Sequence, residues 1–291
     1  MRATWVSAEN PPTGAPEPSP AAAVDAPRRT STHNSQPNHS GPAKALAVLR
    51  TSIFYLGYVP VSIGYGIFAI PLYLLPKRHR HRIMNSWCHL VVQWLRLTCG
   101  VRFRIEGLSH LRELQRPAVV LSKHQSTWET YCLQWLCWPA ATVLKQELLK
   151  LPFFGWGLRH FSPIAIDRDN PRAALRQVRE QSEARLASGL NVLLFPEGTR
   201  AAVGTRGRYA RSGPEIALAT GAPMLPVAVN AGHLWAPGTF IKYPGEVSVV
   251  FGAPMDPAGK TSRELINAVE TWIETRMALL DGAPTAKEIA P

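Results

Sequence analysis

Residues 164–195, IAIDRDNPRAALRQVREQSEARLASGLNVLLF, contain a short apolar run, a helical pattern and a second apolar run. Pro171 suits the first turn of the helix, where a missing N–H costs nothing, and Gly189 suits its end. The flanking runs, Ile164 to Ile166 and Asn191 to Phe195, are short and apolar, as buried strands are. This strand-helix-strand unit predicts an α/β fold.

The same alternation continues on both sides of this unit. A last helix is predicted over about Ser262 to Leu280, where apolar residues recur at helical spacing. We therefore expect a mixed β-sheet flanked by helices, in one domain over residues 101–280. The remaining predicted strands are Val101 to Ile105, Ala118 to Leu121, Thr142 to Leu144, Met224 to Val229 and Val247 to Phe251.

The two ends of the chain have a different composition. Residues 1–46 contain eight of the 26 prolines and are otherwise mostly small or polar. Such a segment cannot bury enough apolar surface to offset its ordering entropy, so we expect a disordered tail. It also lacks the apolar core of a signal peptide, which argues against secretion. Residues 281–291 are expected to form a second, short tail.

Residues 47–100 have the composition of a membrane-docking helical segment. No formal charge occurs over the 26 residues 51–76, a length sufficient to cross a bilayer as a helix. Pro60 and Pro71 favour a kinked or re-entrant helix instead, so both arrangements stay open. A helix with a tryptophan-rich face is predicted over Ile83 to Leu97, and it would suit a bilayer interface or the globular domain equally well.

The net charge of +12 predicts an anionic partner. Nucleic acid, anionic lipid, a phosphorylated substrate and an acidic carrier protein all fit this charge. The basic run from Lys77 to Arg82 follows the apolar segment directly and favours the cytoplasmic side of a membrane, although a solvated turn would look the same. The four cysteines lack zinc-site spacing, so no metal site is expected.

The first candidate site follows the predicted strand that ends at Leu121. Ser126 and Glu129 have the spacing of a capping box, in which Glu129 would only satisfy backbone donors. In the functional interpretation Glu129 orients His124, and His124 removes a proton from an attacking hydroxyl. Both interpretations fit the sequence, and a Ser126 nucleophile is a weaker third because no elbow motif surrounds it.

The second candidate site is the string from Phe195 to Arg200, which follows another predicted strand. Gly198 permits a tight turn, Glu197 can fix Arg200 or accept a substrate hydroxyl, and an arginine fork matches phosphate oxygens. The strand Ile164 to Ile166 likewise leads to Arg168. Two arginines at strand ends predict an anion site. Arg206, Arg208 and Arg211 in the predicted loop 201–212 could reach lipid phosphates or an acidic carrier, or remain solvated.

These residues, in this order, resemble the glycerolipid acyltransferase family, which includes the bacterial 1-acylglycerol-3-phosphate acyltransferases. The resemblance spans about residues 50–255. His124 to Glu129 is similar to the family's first block, Ile164 to Arg168 to its second, Phe195 to Arg200 to its third and Leu225 to Val229 to its fourth. The stretch from Leu144 to Leu148 resembles the family's segment that bears an active-site lysine, here Lys145.

The resemblance implies transfer of an acyl group from acyl-CoA or acyl carrier protein to the 2-hydroxyl of 1-acyl-sn-glycerol 3-phosphate, giving phosphatidic acid. His124 and Glu129 would be catalytic, and no metal or organic cofactor is implied. The implied partners are a lysophospholipid, the acyl carrier and a membrane, without nucleic acid. The implied location is the bacterial inner membrane, with the site facing the cytoplasm. The implied substrate-binding residues are Lys145, Arg168, Glu197, Gly198, Thr199 and Arg200.

The chain departs from the family pattern at three places. Glu129 stands where the family usually has aspartate, and the longer carboxylate should keep the orienting role. Lys123 stands where asparagine is common, and it could alter the basicity of His124 or contact phosphate. The second block lacks the glycine often found near Phe161 and Ser162.

Three other functions remain open. The acceptor could be another lysolipid, such as a lyso-ornithine lipid or lysophosphatidylglycerol. The chain could instead be a non-enzymatic basic membrane scaffold, or bind nucleic acid, with binding that falls steeply with salt. A hydrolase would use water in place of the lipid hydroxyl and would lose thioester without an acceptor.

Overall fold

The computed structural model describes residues 41–167 and 171–282. Arg168, the first 40 residues of the predicted N-terminal tail and residues 283–291 of the predicted C-terminal tail lie outside the described residues. The strands are β1 (Val101–Glu106), β2 (Val119–Ser122), β3 (Ala140–Lys145), β4 (Ile164–Ile166), β5 (Asn191–Leu194), β6 (Met224–Val229) and β7 (Gly245–Phe251).

Eight α-helices and four short 3-10 segments complete the described part of the chain. The helices are α1 (Gly41–Ala69), α2 (Lys77–Cys99), α3 (Ser109–Arg112), α4 (Trp128–Leu136), α5 (Phe154–Leu158), α6 (Pro171–Ala187), α7 (Ser212–Thr220) and α8 (Ser262–Asp281). The 3-10 segments are Pro71–Leu74, Gln146–Lys150, Arg159–Phe161 and Ala231–His233.

The strands form one mixed sheet in the order β1-β7-β6-β2-β5-β3-β4. Neighbouring strands pair in parallel from β6 through β2, β5 and β3 to β4. Strand β7 runs antiparallel to β6, and β1 pairs in parallel with β7. The prediction of a mixed sheet flanked by helices is confirmed. Because the five parallel strands share one direction, the loops that leave their carboxyl ends meet at one edge of the sheet.

Helices cover both faces of this sheet. Val120 packs with α2 and α4 on one face, while Val119 and Leu121 pack with α6, α7 and α8 on the other. This alternation follows from the two-residue period of a strand. Strand β6 is buried at every position, as expected for a strand with helices on both sides.

The first two helices pair with one another as a hairpin. Helix α1 continues through Pro60, so the chain turns not there but between Ala69 and Lys77, and the basic run from Lys77 belongs to the first turns of α2 rather than to a loop. The indole Nε1 of Trp94 donates to the carbonyl of Phe54 at 3.0 Å. The prediction of a helix over Ile83 to Leu97 agrees with α2.

Helix α1 contacts the globular domain near both of its ends. The backbone N–H of Lys242 donates to Oγ1 of Thr51 at 3.0 Å. Nε2 of His160 lies 2.9 Å from the carbonyl oxygen of Ala69. Gly66 lies so close to the backbone of Phe153 that a Cβ at this position would overlap it. The helix therefore lies along the domain for most of its length.

The opposite face of α1 and the turn after it carry a continuous row of exposed apolar side chains. The segment Gly41–Leu74 is long enough to cross a membrane, and its 18-residue apolar window has a mean hydropathy of 1.7, with only 17% of that window buried. Such a surface indicates association with a membrane. The row consists of Leu46, Leu49, Ile53, Leu56, Ile63, Ile67, Ile70 and Leu74.

A buried lysine joins α1 to the domain. Lys242 is fully buried, and its Nζ lies 4.2 Å from the ring centroids of both Tyr55 and Trp235. The ammonium donates to the hydroxyl of Tyr55 at 2.8 Å and to the carbonyl of Phe240 at 2.6 Å. Burial lowers the pKa of Lys242 to about 8. Aromatic faces and two neutral acceptors surround this cation.

Candidate active site

The candidate residues lie at the carboxyl edge of the parallel strands. His124 follows β2, Lys145 ends β3, and the turn from Glu197 to Arg200 follows β5. All of them line one cavity of about 1250 Å³. The structure thus brings together in one cavity the two candidate sites predicted from separate parts of the sequence.

The imidazole of His124 is paired with a buried carboxylate. Its Nδ1 lies 3.0 Å from Oε1 of Glu129, and the side chain of Glu129 is fully buried while that of His124 is 15% exposed. Because a carboxylate can only accept, Nδ1 carries the proton in this pair. In the neutral imidazole Nε2 then has a free lone pair, which is the form that a general base requires.

Glu129 also satisfies backbone donors. Its Oε1 accepts the backbone N–H of Gln125 at 2.7 Å and that of Ser126. The carboxylate of Glu129 therefore does both things that the sequence allowed: it satisfies backbone donors and it orients His124. The predicted capping box forms in a variant form: Glu129 accepts the backbone N–H of Ser126, while Oγ of Ser126 accepts the backbone N–H of Trp128 at 3.2 Å rather than that of Glu129.

The backbone of His124 is fixed at both of its polar groups. Its N–H donates to Oε2 of Glu197 at 3.0 Å, and its carbonyl accepts the N–H of Ala201 at 2.7 Å. Its ring also stacks on that of Phe195, with centroids 4.0 Å apart. The turn after β5 thus holds the residue that follows β2.

Gly198 and Arg200 shape this turn. Gly198 has a φ of 69°, a left-handed conformation that glycine adopts without a steric penalty, as the predicted tight turn requires. Nη1 of Arg200 donates to Oγ1 of Thr127 at 2.9 Å. Thr127 lies three residues after His124, so the guanidinium group is close to the loop that carries His124. Thr199 also lines the cavity.

Two side chains have partners other than those expected. The carboxylate of Glu197 is buried and accepts from Lys123 Nζ, His124 N and Gly207 N, whereas the sequence suggested Arg200 or a substrate hydroxyl. Lys123 points into the protein and is 1% exposed, so it contacts neither a phosphate in the cavity nor the imidazole. Its ammonium neutralises Glu197 instead.

Of the two remaining candidates, Lys145 lies in the described part of the chain, at the end of β3, the strand next to β5. Lys145 is half exposed, with its Nζ 3.7 Å from Oε2 of Glu147. The structure says nothing of Arg168, but β4, which leads to it, is paired with β3. Ser162, near the place where the family often has glycine, adopts a left-handed φ of 51°.

The structure divides the arginines of the loop 201–212 and also shows one residue that the sequence did not single out. Arg208 and Arg211 line the cavity, whereas Arg206 pairs with Glu270. Glu274 of α8 accepts a hydrogen bond from Lys123, which lies 151 residues earlier in the chain. No sequence pattern indicates this pairing. No cluster of three or more potential metal ligands occurs within residues 41–167 and 171–282. Apolar cavity residues include Leu144, Leu148, Phe154, Leu158 and Phe161.

Comparison with known proteins gives the family. A family model described as acyltransferase matches residues 102–230. A 1-acyl-sn-glycerol-3-phosphate acyltransferase of Pseudomonas aeruginosa is 42% identical over 237 residues, which cover 79% of this chain and 91% of that protein. The chain belongs to the acyltransferase family.

Other members of the acyltransferase family are more distant. The 1-acyl-sn-glycerol-3-phosphate acyltransferase of Cocos nucifera is 29% identical over 216 residues, covering 72% of this chain and 68% of that one. The crystal structure of the 1-acyl-sn-glycerophosphate acyltransferase PlsC from Thermotoga maritima aligns with a TM-score of 0.71 at 25% identity, covering 83% of this chain and 99% of that chain. An acyltransferase is an enzyme, so the comparisons favour an enzyme over a non-enzymatic scaffold.

Proposed function

We propose that this acyltransferase transfers a fatty acyl group from an acyl thioester to the 2-hydroxyl of 1-acyl-sn-glycerol 3-phosphate, giving phosphatidic acid for phospholipid synthesis. The supporting observation is that His124 and Arg200 line the same cavity. One lysophospholipid could therefore place its hydroxyl at the imidazole and its phosphate at the guanidinium group. The names of the relatives, which act on this acceptor, agree with the proposal.

In the proposed reaction His124 is the general base. Its Nε2 removes the proton of the 2-hydroxyl while the oxygen attacks the thioester carbonyl, and the Glu129 carboxylate stabilises the imidazolium that forms. The tetrahedral intermediate collapses with loss of the thiolate, which takes the proton back from His124. The products are phosphatidic acid and a free thiol.

Basic residues around the cavity would hold the phosphate. Arg200 presents a planar fork that matches phosphate oxygens, and Arg168 is proposed as its partner from the loop after β4. Lys145 would assist the phosphate or the developing oxyanion. Gly198 and Thr199 would shape this subsite. Glu197, whose oxygens bond Lys123 and His124, would contribute through the backbone rather than by touching substrate.

The proposed donor is acyl-CoA or acyl carrier protein. Both are anionic and suit the net charge of +12. The proposal needs no metal or organic cofactor, because a thioester is already an activated acyl group. The apolar part of the cavity wall would receive an acyl chain.

The proposed location is the cytoplasmic face of the bacterial inner membrane. The exposed apolar row of α1 would enter the lipid, and the basic side chains from Lys77 to Arg82 would contact anionic headgroups. Since α1 lies along the domain, we favour insertion at the interface over a full crossing. Flotation with vesicles of neutral or anionic lipid tests the contact with headgroups. If the fraction of protein that floats with the vesicles did not depend on anionic lipid, the headgroup contact would be contradicted.

The decisive experiment measures transfer of a labelled acyl group from each thioester to purified lysophosphatidic acid. We expect transfer by the wild type and a loss of at least about 1000-fold in His124→Ala at an unchanged melting temperature. Near-native turnover by His124→Ala would contradict the assignment of the base.

Acceptor specificity is measured in parallel. Lysophosphatidylglycerol and a lyso-ornithine lipid lack the phosphomonoester and should be poor acceptors. Equal transfer to them would point to another lysolipid as the substrate. Thiol release without any acceptor would instead indicate a hydrolase.

A further inference from the structure

The side chain of Lys123 is the centre of a buried polar network below the cavity. Its Nζ donates to Oε1 of Glu197 at 2.8 Å, to Oε1 of Glu274 at 2.8 Å and to the carbonyl of Thr205 at 3.1 Å. An ammonium has three N–H groups, so each has a partner. The lysine is 1% exposed, which makes this one of the most enclosed cations of the described residues.

The first branch of the network leads to the proposed base. Glu197 accepts the ammonium through Oε1 and the backbone N–H of His124 through Oε2. A buried carboxylate keeps its charge only beside a cation or strong donors. Lys123 therefore maintains the acceptor that fixes the backbone of His124, while Glu129 fixes the ring.

The second branch leads to the loop that follows the turn at Arg200. Thr205 accepts from Lys123, and the backbone N–H of Gly207 donates to Oε1 of Glu197 at 3.1 Å. Two residues further on, the hydroxyl of Tyr209 donates to Oε1 of Glu274 at 2.8 Å. Burial raises the pKa of Tyr209, so its hydroxyl remains a donor. This loop carries Arg208 and Arg211 into the cavity wall.

The third branch ends on the last helix. Glu274 of α8 is 22% exposed and does not line the cavity. Its carboxylate nevertheless meets the same ammonium as Glu197, so one cation separates two acidic groups. Removing that cation would leave both carboxylates uncompensated and facing each other. The position of α8 is thereby coupled to the loop that holds His124.

We infer that Lys123 is a positioning residue of this acyltransferase, which through Glu197 and Glu274 fixes the backbone of His124 and the arginine loop against α8. The inference rests on the proposed function for its kinetic readout. Lys123 touches neither substrate nor the imidazole and acts only through these two carboxylates.

A charge-balance experiment tests this role. Lys123→Met should lower kcat by at least about 30-fold per folded molecule, because both carboxylates lose their cation. Adding Glu274→Gln removes one of the two stranded charges, so Lys123→Met/Glu274→Gln should recover at least about threefold. The matched control is Lys123→Met/Glu270→Gln. Glu270 lies one turn earlier on α8 and pairs instead with the exposed Arg206, so no recovery is expected.

Amide hydrogen exchange gives a readout that does not depend on turnover. In Lys123→Met, segments 122–130 and 201–211 should exchange at least about tenfold faster, whereas β6 should be unchanged. If Lys123→Met does not fold, Lys123→Gln, which keeps a donor without the charge, replaces it in every arm. A kcat within threefold of wild type, equal kcat in the two double variants, or unchanged exchange would each overturn the inference. A wild type without acyl transfer would refute the proposed function, and exchange alone would then test Lys123.

Discussion

Nδ1 of His124 lies 3.0 Å from Oε1 of Glu129, the same oxygen that accepts two backbone N–H groups at the start of α4. Because one oxygen serves both tasks, Glu129→Gln can keep the backbone bonds while it removes the charge that would stabilise an imidazolium. We expect kcat to fall by about 10²–10³-fold with little change in melting temperature.

Steady-state kinetics and thermal melting of the same preparation check this prediction. Glu129→Asp, which restores the acid usual in the family but shortens it by one methylene, serves as the charge-retaining control and should lose less activity. A glutamine variant as active as the aspartate variant would show that the charge of Glu129 is dispensable.

Arg200 is predicted to bind the acceptor rather than the donor. Its Nη1 donates to Oγ1 of Thr127, three residues after His124, so the guanidinium group faces the loop that carries His124. In Arg200→Lys the planar fork is lost, and the KM for lysophosphatidic acid should rise by about tenfold while the KM for the thioester stays within twofold. Separate titrations of the two substrates measure this, and a change confined to the thioester would assign Arg200 to the carrier.

Much of the fold was predictable because local patterns match the tertiary environment. The strands are short apolar runs, and α6 begins at Pro171, the position that its sequence indicates. Hydrophobic pattern alone could not place α1, because the same apolar run satisfies a bilayer or a protein surface. Helix α1 combines the two environments, because one of its faces packs on the domain and the other is exposed.

The candidate site was predictable only in part. His124 and the turn at Arg200 each follow a strand, and parallel pairing of β2 with β5 makes them neighbours. The direction in which Lys123 and Glu197 point was not predictable, since it depends on Glu274 far along the chain. The positions of Lys123 and Glu197 in the candidate motifs suggested contact with substrate, but the two side chains neutralise each other inside the protein.

Docking of α1 depends on a glycine. A Cβ at Gly66 would overlap backbone atoms of Phe153. A backbone cannot relieve such an overlap by changing a side-chain rotamer. Gly66→Ala should therefore destabilise the protein by about 1–3 kcal/mol. Gly64, two residues earlier, has nothing within 4 Å of its Cβ position, so Gly64→Ala should be neutral or stabilise by up to about 1 kcal/mol. Denaturant unfolding in detergent compares the two, and equal effects would contradict the docking seen at Gly66.

Lys242 predicts an alkaline dependence of stability. Burial lowers its pKa from 10.5 to about 8, so between these pH values the unfolded chain binds more protons than the folded one. Stability should therefore rise, relative to Lys242→Met, as the pH increases from about 8 to about 10.5. The total gain is on the order of 2–3 kcal/mol.

The measurement is the denaturant midpoint of both proteins at several pH values from 7 to about 10.5. Groups remote from Lys242 titrate alike in both proteins and cancel in the difference, whereas the Cys99 thiol, whose pKa the Lys242 charge lowers, adds a smaller change of its own. If the stabilities of the two proteins changed equally with pH, the pKa of Lys242 would be the same in the folded and unfolded chain. The aromatic surroundings would then stabilise the ammonium as well as water does.

Ser162 predicts a gain in stability. Its φ of 51° lies in the left-handed region, where a Cβ costs about 1 kcal/mol and glycine does not pay this steric penalty. Ser162→Gly, which introduces the residue often found near this position in the family, should stabilise the protein by about 0.5–1 kcal/mol. Ser162→Ala keeps the Cβ and should give no gain. Because Nε of Arg185 donates to the carbonyl of Ser162 at 2.6 Å, the backbone is held in this conformation in either variant. Unfolding free energies of the three proteins decide the point, and equal values for glycine and alanine would show that the backbone at this position is unstrained.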